Sequence, residues 1–223
     1  MANTTSPPND NVVVIGLGRF GVAVADSLVH LGHDVLGIDT NPERVQKWAD
    51  RLTHVVQGDA SDSDVLRRLG VHEFGHAVVG IGTHIEASVL AVLALSELHV
   101  PDIWAKAVTP DHGRILERTG AHHIVSPEAA MGQRVAHMVT GKMIDFIEFD
   151  DGFAIVKTRA PLEAVGKTLG ESALRSKYGV TIVGVKRPKT DFTYAQPDTF
   201  VQAGDLIIVS GPTKLVQKFA ALT

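Results

Sequence analysis

The chain has no cysteine among its 223 residues, which excludes disulfides, zinc-thiolate sites and thiol nucleophiles and fits a reducing compartment, with the cytoplasm as the default. It has no apolar run approaching the roughly 20 residues of a spanning helix. The start, Met1 to Asn11, lacks the apolar core of a signal peptide, and its Asn, Thr, Ser and Pro content reads as a short disordered leader, residues 1–11. Basic tracts are also missing. With a formal net charge of -4, the chain lacks the electrostatic footprint of a nucleic-acid binder, so nucleic acid is not an expected partner. What remains is a globular composition, 44% hydrophobic and 21% charged, long enough for one large or two modest domains.

One stretch stands out. Val12-Val13-Val14-Ile15 reads as a buried strand and is followed by Gly16-Leu17-Gly18-Arg19-Phe20-Gly21, an apolar helix pattern and a second strand ending at Asp39. In such a unit Gly16 allows the tight turn, Gly18 lets backbone approach a phosphate, and Gly21 lets the helix pack on the strand. The helix N-terminus then faces phosphate, and Asp39 can accept from ribose hydroxyls. Because an acid there repels a 2′-phosphate, NADP is the least expected dinucleotide. Asp39 also reads as a turn acid before Asn41-Pro42.

The same rhythm continues with strands expected near 54–56, 76–81, 103–107 and 122–125, each separated by a helix-like segment. The reading is an α/β fold, a doubly wound parallel Rossmann-like sheet. Helices are expected at 61–69, 84–98 and 110–119, the last ended by Gly120. Ser126-Pro127-Glu128 launches another toward about Met143. From Ile144 the pattern changes to short strands (146–149, 154–158, 181–185, 206–209) with helices at 168–177 and 213–222. This second part is a small α+β domain, so the division reads 12–144 and 145–223.

Several residues carry candidate chemistry. Arg19, inside the loop, supplies a fixed cation that can meet terminal phosphates and separate ATP from ADP by charge. Asp59 and Ala60 follow the third strand at the open edge of the cleft, where an adenine can be gripped; Asp59 reads equally well as a turn or cap acid. Lys106 is the most obvious polar side chain near a strand end, and no acid–base partner for it is evident. Among eleven histidines, His72 and His76 are four apart, but Gly75 argues against a continuous helix, and His122-His123 point to opposite faces of a strand. No metal cluster follows from spacing.

Gly16–Gly21, Asp39, Gly58-Asp59-Ala60, His84-Ile85-Glu86-Ala87-Ser88, Ile103–Ala107, Leu116–Ala121 and Ser126–Gly132 together resemble the regulatory subunits of bacterial Ktr/Trk-type potassium-uptake systems. These subunits are built from RCK domains (TrkA-N plus TrkA-C). The resemblance extends through Lys177–Ile182 and Gly204–Val209, covering nearly all of residues 12–223. It implies a cytoplasmic subunit, peripheral to the inner face of the membrane, that binds ATP/ADP or NAD(H) and controls a membrane potassium-translocating partner. It further implies homodimers with helix-swapped contacts assembling into a ring, expected to be an octamer, with Arg19 reaching a neighbour's nucleotide. Glu128 is implied as the ligand of a divalent or monovalent cation at the nucleotide phosphates; as a first-turn acid it also suits the helix dipole. Cyclic di-AMP is bound by the small domain of some similar proteins.

The reading is therefore a gating partner rather than a catalyst. The alternative is an NAD-dependent oxidoreductase on the same fold. Against it stand the short second domain and the unpartnered Lys106. A redox sensor acting on transcription lacks its DNA-binding helix pair.

Overall fold

The computed structural model describes residues 10–139, 143–149 and 152–222. Most of the expected leader and the end of the helix expected to reach Met143 lie outside the described residues. By its internal contacts the chain divides into Met1–Glu128 and Ala129–Thr223.

In the first unit β1 (Val12–Ile15), β2 (Val35–Asp39), β3 (His54–Gln57), β4 (His76–Val79), β5 (Asp102–Lys106) and β6 (His123–Val125) alternate with α1 (Arg19–His30), α2 (Pro42–Trp48), α3 (Ser63–Arg68), α4 (Ile85–Glu97) and α5 (Pro110–Thr119). The strands are all parallel, in the order β3-β2-β1-β4-β5-β6. Central strands β1 and β2 are fully buried, as a sheet covered on both faces requires. Side chains alternate between two cores: Val13 and Ile15 join Ile38, Val79, Leu95 and Ile103 on one face. Val12 and Val14 join Leu17, Ala25, Val35 and Leu52 on the other.

Local signals explain the boundaries. Asn41, Asp62 and Thr109 cap α2, α3 and α5 through side-chain oxygens, satisfying first-turn N–H groups. Pro110 opens α5 and Gly120, at φ 123, ends it. The expected 61–69 helix starts later, at Ser63, because Asp62 is its cap.

The second unit is a five-stranded antiparallel sheet of β7 (Asp145–Glu148), β8 (Phe153–Arg159), β9 (Thr181–Lys186), β10 (Phe192–Tyr194) and β11 (Leu206–Pro212), in the order β10-β9-β11-β8-β7. Helix α6 (Pro127–Val139) precedes it. Sequence pattern puts the domain boundary after this helix, near 145, whereas the contact division falls in its first turn. Met131, Val135 and Val139 are exposed, and Arg134 pairs with Asp145 of β7 at 2.6 Å.

The single helix expected over 168–177 is two, α7 (Leu169–Ser172) and α8 (Leu174–Tyr178), because Ala173 adopts φ 51, ψ 27. Strand β10 has no counterpart in the sequence reading. It pairs with β9 and lays Phe192 over Gly184, where an added Cβ would lie 2.1 Å from Phe192 Cζ. Helix α9 (Thr213–Ala220) closes the core with Val216 and Phe219.

Candidate functional site

Strand β1 is flanked by β2 on one side and β4 on the other, so the connections run in opposite directions from it. Crevices at the carboxyl ends of strands at such a switch point are ligand sites. The loop Gly16–Gly21 occupies this position. Gly16 has φ +89, and an added Cβ would lie 2.9 Å from the Ile81 side chain. At Gly21 it would lie 2.0 Å from the Gly16 carbonyl oxygen, so helix and loop meet backbone to backbone. At Gly18 it would meet nothing within 4 Å.

The start of α1 differs from its neighbours. Its cap residue is Gly18, no side chain accepts from its first-turn N–H groups, and no acid lies in that turn. The positive end of the helix dipole and unpaired N–H groups therefore border the open space at Gly18, an arrangement suited to phosphate. Gly80, directly after β4, belongs to the same close approach: an added Cβ there would lie 3.1 Å from the Gly16 oxygen. The run Gly80-Ile81-Gly82 directly after a strand was a legible sign of this, but the sequence reading passed over it.

Asp39, at the end of β2, is buried. Its Oδ2 accepts from the Leu17 amide at 2.7 Å and from Arg44 at 3.2 Å, and its Oδ1 from the Asn41 amide at 2.8 Å. A carboxylate has about four lone-pair sites, so one on Oδ1 remains for a ribose hydroxyl. Asp39 is thus the turn acid and also the tether of the glycine loop. Asp59 is exposed and accepts from the Ser61 hydroxyl and amide at 2.7 and 3.0 Å. Those bonds hold its carboxyl below the usual range. Ala60 points its methyl into the core. At Asp59 the structure brings out the turn contacts.

Arg19 is exposed in the first turn of α1. Phe20 lies beneath Lys106, whose Nζ is 5.8 Å from the ring centroid. Contrary to the sequence reading, Lys106 has a partner: its Nζ donates to Glu128 Oε1 at 2.6 Å. Lys106 and the Arg19 charge both hold the Glu128 carboxyl below its usual range, the Lys106 hydrogen bond most strongly. A cation at Glu128, implied between the nucleotide phosphates of paired subunits, would take Glu128 as its one ligand from this group of residues. An ammonium already occupies the carboxylate, and among the described residues no group of three or more His, Cys, Asp and Glu side chains could hold a metal.

At the opposite ends of the strands, Asp102 gathers His76 (2.9 Å), Trp104 Nε1 (2.9 Å) and His123 (3.1 Å), with Trp104 stacked on His123 at 4.0 Å. Burial alone would raise the Asp102 carboxyl, but the hydrogen bonds from His76 and Trp104 and the nearby histidine charges hold it low.

Both domains have counterparts among known proteins. The TrkA-N domain model matches residues 12–127 and the TrkA-C domain model residues 154–223. Ktr system potassium uptake protein A of Bacillus subtilis is 34% identical over 212 residues, 95% of this chain and 96% of that protein. Ktr system potassium uptake protein C of the same organism is 36% identical over 207 residues, 92% and 94% of the two chains. Among solved structures the RCK domain of GsuK matches with a TM-score of 0.68 at 20% identity, covering 99% of this chain and 48% of that one. The GsuK channel bound to NAD matches with a TM-score of 0.66 at 18% identity, covering 99% and 40%. This chain thus spans less than half of those solved chains, and the likeness shows the fold. The two domain matches and the full-length relatives show that the chain belongs to the family of Ktr potassium uptake proteins, in which a TrkA-N domain is followed by a TrkA-C domain.

Proposed function

We propose that the chain is a nucleotide-binding regulatory subunit of a potassium uptake system, in which ATP, ADP or NAD(H) bound by the first unit controls a membrane potassium-translocating partner. The observation that carries the nucleotide reading is the start of α1, where a helix without a capping side chain or a first-turn acid opens onto free space at Gly18. The names of the relatives support the potassium role. GsuK, of the same fold, has been solved bound to NAD and to ADP.

In this reading the first-turn amides of α1 receive the phosphates, Asp39 offers its remaining acceptor site to the ribose, and Arg19 answers the charge of the terminal phosphate. Gating requires a difference in affinity between two conformations. Homodimers closing into a ring on the membrane's inner face would supply the second conformation. Among the described residues no helix is long and apolar enough to cross a membrane, so translocation falls to the partner. The pairing of Lys106 with Glu128 removes the unpartnered lysine as an argument against the oxidoreductase alternative, which the names of the full-length relatives disfavour.

The test is calorimetric titration of the full chain with ADP, ATP and NADH, with mass followed by light scattering. Binding that is lost in Gly18→Val, by a multimer that does not turn over NADH, is expected. A folded chain that binds none of the three overturns the nucleotide reading.

A further inference from the structure

We propose that His112 is a proton-sensitive latch on the loop that leaves β5: its neutral ring holds the Val108 amide with one nitrogen and faces the seam between α4 and α5 with the other, and a proton taken up by the ring releases the loop. Three observations carry this.

The first is where the ring sits. His112 lies in the first turn of α5 and is 1% exposed. Its Nδ1 accepts from the Val108 amide at 3.4 Å. That bond fixes the tautomer: a nitrogen that accepts carries no proton, so the proton of the neutral ring is on Nε2. Val108 itself is exposed, and an added Cβ on Gly82 would lie 3.4 Å from its side chain. The ring therefore holds, from the inside, a loop whose outer side meets the segment after β4.

The second is what Nε2 meets. His112 Nε2 and Ser88 Oγ are both buried and both without a partner among the described residues. Strands β4 and β5 are parallel neighbours, so α4 and α5, which follow them, run side by side in one direction and pack together. At their far ends an added Cβ on Gly120 would lie 2.5 Å from Ser96 Oγ. Counting back equally along each helix from Ser96 and Gly120 brings Ser88 level with His112. An N–H donor and a hydroxyl oxygen are complementary, and a single buried water joins such groups where they do not touch.

The third is the lack of an anion for a charged ring. His84 and Glu86 at the start of α4 are exposed. Asp111 and Arg114 of α5 pair with each other in solvent. Lys106 of β5 pairs with Glu128, and His123 of β6 faces Asp102. Burial is the cause that lowers the His112 pKa from the ordinary 6.5, with no charge contributing. A protonated ring would place an unpaired charge in the core and turn an N–H toward the Val108 N–H. The site accepts the neutral ring at both nitrogens and the cation at neither, so proton uptake requires the loop and the first turn of α5 to open.

The test is hydrogen exchange of the full chain at pH 7.5 and 5.5, corrected for the intrinsic pH dependence of exchange, in the wild type and His112→Gln. It is followed over 107–112 and, as the core reference, over β1. A ring that is charged only when open makes opening about tenfold more frequent at pH 5.5 than at pH 7.5. Segment 107–112 should show this rise and should open more often than β1 at both pH values. His112→Gln, whose amide offers a neutral acceptor and a neutral donor, should show no rise. No rise in the wild type, or an equal rise in His112→Gln, overturns the latch. Opening no more frequent than that of β1 assigns the proton to unfolding of the whole chain and overturns it too. Ring nitrogen shifts measured by NMR test the wild type alone: a neutral ring protonated on Nε2 at pH 7.5 is expected, and one protonated on Nδ1 overturns the bond to Val108 and the latch with it.

Discussion

The Leu17 amide donates to Asp39 Oδ2 at 2.7 Å, tying the glycine-rich loop after β1 to the end of β2. Leu17 is itself buried. Asp39→Ala therefore strands a buried N–H and removes the acceptor for Asn41 and Arg44. Hydrogen bonds to charged groups contribute about 1.5–3 kcal/mol each, so urea unfolding should show a loss of about 2–3 kcal/mol. Nucleotide titration should show weaker binding, and Asp39→Asn should be milder in both.

Two glycines of one loop should respond in opposite ways to the same added methyl. Gly21→Ala places a Cβ 2.0 Å from a backbone oxygen that cannot rotate aside, and overpacking of this kind costs about 1–3 kcal/mol. Gly18 has φ -75 and ψ -173, extended backbone open to any residue, and its Cβ meets nothing. Gly18→Ala should keep its melting temperature and lose nucleotide affinity. Thermal melts paired with ADP titration separate the two.

His112 is 1% exposed, its Nδ1 accepts from the Val108 amide at 3.4 Å, and its Nε2 has no partner among the described residues. Burial pushes its pKa below the ordinary 6.5. Above 6.5 the ring is neutral in both folded and unfolded chains. Below it the unfolded chain takes up a proton first, so stability falls with pH between 6.5 and the depressed folded value. His112→Gln should flatten that part of the profile, measured as denaturation midpoints at several pH values.

Ala173 sits at φ 51 between α7 and α8, a conformation that costs a residue with a Cβ about 1–2 kcal/mol relative to the right-handed one. Ala173→Gly relieves it at some cost in unfolded-chain entropy. The net gain should be about 0.5–1 kcal/mol, read from the unfolding of the full chain.

What was legible in the chain was whatever local chemistry determines. Helix α5 runs from Pro110 to Thr119 as expected, because Thr109, Pro110 and Gly120 act on their own neighbours. The glycine loop was equally plain, since turn, approach and packing each need a glycine at a set spacing. The break at Ala173 was hidden, because alanine carries no sign of a left-handed conformation. Three residues of β10 are too few to display a period of two, although Gly184 inside β9 marked the room that Phe192 fills. The Lys106–Glu128 pair joins residues 22 apart through the order of parallel strands, a relation that spacing along the chain does not express.

Val12 of β1 pairs with His76 of β4, while β2, β3, α1, α2 and α3 lie between them in the chain. The crevice is thus assembled at a seam between distant segments, a pairing that long loop closure makes slow. A ligand held there binds the finished seam and not the separated halves, so it draws the whole first unit toward the folded state by mass action. The place in the fold proposed to read the ligand is the place where the domain is sewn shut.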